Sequence, residues 1–305
     1  MKSVCENGAL RGMPVNWHLL WECNYRCIFC FNPRDRSSYG GSNPLCNDLR
    51  AARVLIQELA DAGVSKLTFV GGEPLLCRNL GKLLALSKEH GLTTMIVTNG
   101  FLLARPSGAR FLMKYGSYID WIGLSIDSND SRKEALLGRG FGSHVEDIVR
   151  AVANIRKYAE HVRIKLNTVI TKLTWNDDLS TILDEIRPDR WKVFELKIVE
   201  GANDGREVLD LVPEPWMVAS FIRRHKQYNP VLETSEDMSM SYLMIFPDGN
   251  LYIDMPGEGY RPIGGVREAC NNKLILHIKR NLKKRGGLYD WETPRAGATA
   301  EAAYG

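Results

Sequence analysis

Three thiols stand in the run CNYRCIFC, at Cys23, Cys27 and Cys30, a C-x3-C-x2-C spacing. Three thiolates can hold three irons of an iron–sulfur cubane and leave the fourth iron without a protein ligand. A catalytic metal site needs such an open position, whereas a structural one is closed. Two plainer readings compete: a zinc site completed by a fourth ligand, with His18 the nearest candidate, and three cysteines that only fill a core. Further along, Val70-Gly71-Gly72-Glu73-Pro74 pairs two glycines with a carboxylate. Paired glycines let a backbone approach a ligand closely, and exposed carbonyls with one carboxylate suit a cationic amine.

A second chemistry is carried by cations. Lys165 and Asn167 lie two apart in KLNTVI, and Arg190 and Lys192 repeat the arrangement in RWKVF. Residues two apart on a strand share a face. A lysine facing inward among Val, Phe, Leu and Ile needs an anionic partner. Arg285-Gly286-Gly287 adds a cation on an amide-presenting loop. Such a set suits a polyphosphate. For any one of these residues a solvated outer position is an equal reading; same-face pairs on successive strands favour a pocket. Lys279, Arg280, Lys283 and Lys284 read as a solvated helix face.

The elements that must hold these residues alternate. Strand patterns cover residues 15–21, 66–70, 93–98, 119–126, 161–170 and 190–199, and amphipathic helical patterns cover 49–63, 79–91, 144–158 and 177–186. Six strand–helix repeats make an α/β fold with a parallel sheet, either an open partial barrel or a doubly wound sheet. In both, chemistry sits at the carboxyl ends of the strands, where the cysteine run begins. Beyond residue 200 a helix is expected near 214–227, a hairpin over 241–254 and a basic helix over 273–285. The small, polar tail 292–305 reads as disordered.

At 305 residues and a net charge of +4, the chain is too mildly basic to argue for nucleic acid or a membrane surface. No run approaches the ~20 apolar residues of a membrane span, and no signal-peptide core opens the sequence. Seven cysteines, three of them within eight residues, do not read as a disulfide framework. Ligand thiolates need a reducing compartment, so a cytoplasmic location is expected.

The C-x3-C-x-Φ-C form, with Phe29 before Cys30, resembles the radical S-adenosylmethionine (SAM) superfamily. That resemblance implies a [4Fe–4S] cluster on Cys23, Cys27 and Cys30, with SAM chelating the open iron and cleaved by one electron to a 5′-deoxyadenosyl radical. It further implies that Gly71, Gly72 and Glu73 receive the methionine ammonium and that Asn99, in Thr98-Asn99-Gly100, hydrogen-bonds SAM. Ser125 and Asp127 would face the SAM ribose, Ser125 being preferred, and Arg139 would bind the methionine carboxylate.

Over nearly its whole length the chain is similar to one family, the viperins. The matching segments include VNWH (15–18), the GRG-x-G-x-H run (138–144), KLNTVI (165–170), RPDRWKVFE (187–195), EGAND (200–204), DMSMSYLMI (237–245) and KKRGGLYDW (283–291). The resemblance implies a partial (β/α)6 TIM-like barrel over residues 15–200, preceded by a segment 1–14 and followed by an extension, 201–291, that closes the substrate pocket. It also implies conversion of CTP, UTP or GTP to the 3′-deoxy-3′,4′-didehydro nucleotide, an antiviral chain terminator, by 4′-hydrogen abstraction and loss of the 3′-hydroxyl. The phosphates would rest on Lys165, Asn167, Arg190, Lys192, Arg285 and Gly286. Asn16 and Tyr242 would line the nucleotide, with Tyr242 the candidate proton donor, and the glycine-rich segment 255–270 is a candidate for the base. An electron donor such as a flavodoxin or ferredoxin is implied, with no nucleic-acid or membrane partner. Animal viperins carry an N-terminal amphipathic helix; residues 1–14 show no such pattern, so a prokaryotic or fungal-type member is expected. A related GTP cyclase and peptide maturases use a second cluster, but only Cys270 lies beyond residue 77.

Overall fold

Alternating runs of β-branched and aromatic residues form strands at all six expected places. The computed structural model describes residue 5 and residues 8–33 and 44–284. Its first strands are β1 (Pro14–His18), β2 (Lys66–Val70), β3 (Thr93–Thr98), β4 (Trp121–Ser125), β5 (Arg163–Ile170) and β6 (Arg190–Glu195), each parallel to the one before. Between them cross α1 (Leu49–Asp61), α2 (Leu80–Glu89), α3 (Pro106–Tyr115), α4 (Ser131–Leu136), α5 (His144–Tyr158) and α6 (Ser180–Ile186). Helix α1 shows why these segments fold as they do. Asp48 caps it by accepting from Arg50 N (2.9 Å) and Ala51 N (3.1 Å), an arrangement worth about 1 kcal/mol, and Ala52, Leu55, Ile56 and Leu59 form its buried stripe.

After β6 come α7 (Arg206–Leu209), α8 (Pro215–Arg224), β7 (Val231–Glu233) and α9 (Ser235–Met238), then β8 (Met244–Ile245), β9 (Leu251–Met255), β10 (Gly259–Gly264), α10 (Val266–Cys270) and α11 (Leu274–Lys284). The strand order is β10-β9-β8-β1-β2-β3-β4-β5-β6-β7, so the sheet has two edges and does not close. The fold is thus an open partial barrel of six strand–helix units with two additions. Strand β7 extends it beside β6, and the short parallel strand β8 flanks β1 and leads into the antiparallel β9 and β10.

Side-chain parity divides outside from inside. On β1, Val15 and Trp17 are fully buried in the main apolar core, while Asn16 and His18 line a central cavity. Five cysteines are free, Cys23, Cys27, Cys30, Cys46 and Cys77, but Cys5 and Cys270 form one disulfide, with Cα atoms 5.5 Å apart, that ties the segment before β1 to α10. A residue count cannot show that positions 265 apart in sequence meet. Cys46 and Cys77 are buried side by side, Sγ to Sγ 3.2 Å. No helix among the described residues is long and apolar enough to cross a membrane.

Candidate active site

The cavity, about 340 Å³, runs inside the partial barrel, and its two ends differ in chemistry. At the carboxyl end, Cys23, Cys27 and Cys30 all line it, and none is in a disulfide. The loop carrying them is held from several sides. Arg26 N and Ile28 N donate to Gly138 O (3.1 Å) and Leu137 O (2.9 Å), and Asn203 Nδ2 donates to Phe29 O (2.9 Å). His144 Nε2 donates to Ser125 O (2.8 Å), which leaves Nδ1 to accept from the Tyr25 hydroxyl (3.3 Å), joining the loop to the end of β4.

Burial raises the Cys23 thiol and pushes Cys27 up to about 12; neighbouring cysteines add to both shifts, and Arg139 opposes the shift at Cys27. A site that penalises bare thiolates in this way favours positive charge among the sulfurs, which bound irons supply. Among the described residues no three His, Cys, Asp or Glu side chains gather tightly enough for a single ion. Three free thiols that line one cavity at C-x3-C-x2-C spacing fit the three-thiolate ligand set of an iron–sulfur cluster.

The glycines of the second motif have a structural reason. A Cβ on Gly72 would lie 1.9 Å from Glu22 O, and one on Gly71, whose φ is +128°, 2.6 Å from Leu20 O. They let the end of β2 press against the backbone entering the cysteine loop, with Gly72 N and Glu73 N donating to Leu20 O (2.7 Å) and Glu22 O (2.8 Å). Both glycines line the cavity, but Glu73 does not. Its buried carboxylate accepts from Thr98 Oγ1 (2.7 Å), Asn99 N (2.9 Å) and Leu75 N (3.2 Å), splicing β2 to β3, and burial raises it to about 7.

Asn99 lines the cavity with Nδ2 donating to Asn24 Oδ1 (2.8 Å), 3.8 Å from Cys23 Sγ. Ser125 and Arg139 line it as well. Asp127 does not face it: its carboxylate is fully buried, with Oδ2 taking Arg139 Nε (2.7 Å) and Oδ1 taking Val169 N (2.8 Å). Glu134 adds a second carboxylate 3.4 Å from Arg139 Nε.

At the other end, cations converge. Lys165 and Lys192 line the cavity from β5 and β6, Asn167 beside them. Arg190 is not part of the lining, but its charge acts on Lys66. Sequence reasoning missed a further member, Lys66, which opens β2 and is only 2% exposed. Burial holds its ammonium well below the usual lysine range, and the charges of Lys165, Lys192 and Arg190 push it further in the same direction. Parity would have found it, since stepping back by twos from Val70 passes Thr68, also in the cavity wall, to Lys66. The side chain of Lys192 has an internal anionic partner, Glu233 of β7, with which it forms an ion pair. Arg285 and Gly286 lie outside the described residues, as does the tail 292–305.

His18 lines the cavity with its Nδ1 lacking a hydrogen-bond partner among the described residues, and burial lowers it to about 4. An unfolded histidine titrates near 6.5. The unfolded chain therefore takes up a proton first, and His18's contribution is complete above pH ~6.5 and lost as pH falls toward 4. The loss is worth about 2 kcal/mol between pH 7 and 5. His144, also lowered to about 4, acts in the same sense, and Glu73, raised to about 7, acts in the opposite one. The signal therefore lies in a difference. Thermal midpoints of His18→Phe should fall less than wild type between pH 7 and 5; parallel curves would refute the buried neutral imidazole.

A profile of the Radical SAM superfamily matches residues 22–185. The chain is 34% identical over 287 residues to the S-adenosylmethionine-dependent nucleotide dehydratase of Flammeovirga pacifica, covering 91% of this chain and 96% of that one. It is 30% identical over 302 residues to the S-adenosylmethionine-dependent nucleotide dehydratase RSAD2 of Siniperca chuatsi, covering 93% and 80%. Among solved structures, Streptococcus suis SuiB bound to S-adenosylmethionine superposes with a TM-score of 0.59 at 18% identity, covering 91% of this chain and 68% of that one. Methylornithine synthase (PylB) superposes at 0.50 and 16% identity, covering 95% and 86%. These two share the fold.

Proposed function

The chain belongs to the radical SAM superfamily and, within it, to the S-adenosylmethionine-dependent nucleotide dehydratases, and from that premise we propose that it dehydrates a ribonucleoside triphosphate to its 3′-deoxy-3′,4′-didehydro form. The observation that carries this reading is one cavity with thiols at one end and converging buried cations at the other. From Lys66 to Gly71 the strand climbs five residues, roughly 16 Å at ~3.3 Å each. That depth suits a nucleotide standing upright, triphosphate down and ribose toward the thiols.

Cys23, Cys27 and Cys30 would hold the [4Fe–4S] cluster. Gly71, Gly72, Asn99, Ser125 and Arg139 would hold SAM, with Glu73 and Asp127 fixing the strand ends behind them. When bound, cluster and SAM together supply a hydrogen-abstracting radical. The chain's own part is to position the ribose and exclude water. Lys66, Lys165 and Lys192 would take phosphate oxygens by charge-assisted bonds, with Arg190 adding its charge and Asn16 and Asn167 bonding the nucleotide from β1 and β5. Tyr242, in the cavity wall, would give a proton to the departing 3′-oxygen. The extension 201–291 would close the pocket, a role supported by Met238, Tyr242 and Tyr260 in its wall. A flavodoxin or ferredoxin would deliver electrons, and the reducing conditions that ligand thiols need support a cytoplasmic location.

Protein reconstituted anaerobically with iron and sulfide, then given dithionite, SAM and each of CTP, UTP, GTP and ATP in turn, tests this. One triphosphate should yield a product lighter by one water together with 5′-deoxyadenosine. Equal SAM cleavage with and without every nucleotide would remove the substrate assignment.

A further inference from the structure

Apart from the residues assigned to phosphate and SAM, the cavity wall holds another ion pair. Lys197 stands two residues past the end of β6, and Asp254 lies on β9 of the extension. Both line the cavity, with side chains only 12% and 10% exposed. Lys197 Nζ donates to Asp254 Oδ2 and to Ser239 Oγ (3.0 Å), and Asp254 Oδ1 accepts from Met240 N (3.2 Å). An ammonium has three N–H groups and a carboxylate about four acceptor positions. Among the described residues, that leaves one N–H of Lys197 and about half the acceptor capacity of Asp254 for a ligand.

The backbone on both sides of the pair is tied to the cysteine loop. Asn203 Nδ2 donates to Lys197 O (2.9 Å) and to Phe29 O (2.9 Å), while its Oδ1 accepts from Val199 N (2.7 Å). Tyr260, opposite Asp254 in the β9–β10 ladder, donates to Phe31 O (3.0 Å). Met240, whose N–H meets Asp254, sits at φ +47°, a region that residues other than glycine rarely adopt. Asn281 on α11 holds that turn, Nδ2 donating to Ser239 O (3.2 Å) and Met240 O (3.3 Å). A tether between β6 and β9 needs none of this, since an apolar contact would join them without desolvating two charges. A strained residue kept in place to aim an N–H at a carboxylate in a cavity wall is a mark of function.

Resting on the dehydratase reading above, we infer that Asp254 and Lys197 read the nucleobase and select guanine. Lys192 lies within β6 and Lys197 beyond its carboxyl end, so the pair stands nearer the level of the ribose than that of the phosphates. A base turned sideways from that ribose meets the pair on the wall of the extension. Guanine presents two adjacent donors, N1–H and the 2-amino group, with the acceptor O6 beside them on one edge. Asp254 accepts from both donors, and the remaining N–H of Lys197 donates to O6. Cytosine, uracil and adenine each put one donor group on that edge, next to lone pairs that a carboxylate repels.

Titration calorimetry of the cluster-free full chain tests this with GTP, CTP, UTP, ATP, inosine triphosphate (ITP) and xanthosine triphosphate (XTP). GTP should bind tightest. ITP, which lacks only the 2-amino group, should bind roughly 10- to 150-fold more weakly, the worth of one bond to a charged group. Asp254→Asn offers an amide donor to the 2-position. It should lose affinity for GTP and gain it for XTP, whose C2 oxygen accepts; a merely structural pair would lower all six affinities together. After reconstitution, kcat/KM should follow the same order. Equal binding of GTP and ITP to wild type, or a pyrimidine triphosphate bound as tightly as GTP, would overturn the inference, and neither result depends on the variant folding. A pyrimidine triphosphate dehydrated in preference to GTP would overturn it and leave the dehydratase reading standing. GTP bound preferentially with no triphosphate dehydrated would remove that reading and uphold guanine selection.

Discussion

Cys27→Ala protein, purified without oxygen and offered iron and sulfide, is expected to stay colourless, to bind far less than a full cluster's iron and to lose turnover. Cys27 is the most instructive of the three thiols because it stands between two neighbours. Cys23 and Cys30 both act on it electrostatically, and burial already holds its thiol near 12, so it is deprotonated only if metal displaces the proton. Two remaining thiolates cannot anchor a cubane firmly. The loss should far exceed the roughly 10–100-fold that removal of an outer partner of a metal ligand costs. Folding should survive: Cys27 packs at the rim of a small apolar cluster with Phe29, Leu137 and Leu196, where deleting one sulfur leaves little void. Far-ultraviolet circular dichroism should match wild type. A brown, iron-replete Cys27→Ala protein would mean that the cluster is held elsewhere.

Lys66→Met should separate function from stability. The lysine sits 2% exposed beside charges of its own sign, so the ligand-free protein bears both the desolvation of an ammonium and the repulsion of its neighbours. Methionine is of similar length and carries neither penalty. The ligand-free thermal midpoint should therefore rise, by roughly 2–4 °C for each kcal/mol relieved. Nucleotide binding should move the opposite way. One lost charge-assisted bond to phosphate is worth about 1.5–3 kcal/mol, or a roughly 10- to 150-fold higher KM. The loss should be largest for the triphosphate and shrink through diphosphate and monophosphate. A Lys66→Met protein that is less stable and binds triphosphate normally would place the phosphates elsewhere.

Much of this was legible in residue order because it is local. The thiol run, the glycine pair and the six strand–helix units all lie within single segments, and same-face pairing drew attention to Lys165 and Lys192, which line the cavity. What escaped depends on the third dimension. Glu233 sits on a three-residue strand too short to leave a periodic trace, and its partners lie on β6 and just before β8. The anionic partner that an inward lysine requires was anticipated as a ligand; for Lys192 the protein itself provides one. Gly71 and Gly72 were read as cradling a ligand. Spacing cannot show that the nearest atoms are carbonyls of the chain itself at Leu20 and Glu22. Glu73 and Asp127 likewise turned out to brace strand ends, since both carboxylates bond the backbone of neighbouring strand ends.

The central claim is that a nucleotide stands in this cavity with its ribose under the thiols and its phosphates on the buried cations. The most direct measurement is the fate of deuterium placed at C4′ of the preferred triphosphate. Mass spectrometry of the 5′-deoxyadenosine formed in a single turnover should find that deuterium in its methyl group, in step with the dehydrated product. Unlabelled 5′-deoxyadenosine, with the deuterium still on the nucleotide, would mean that the ribose does not sit where the geometry puts it.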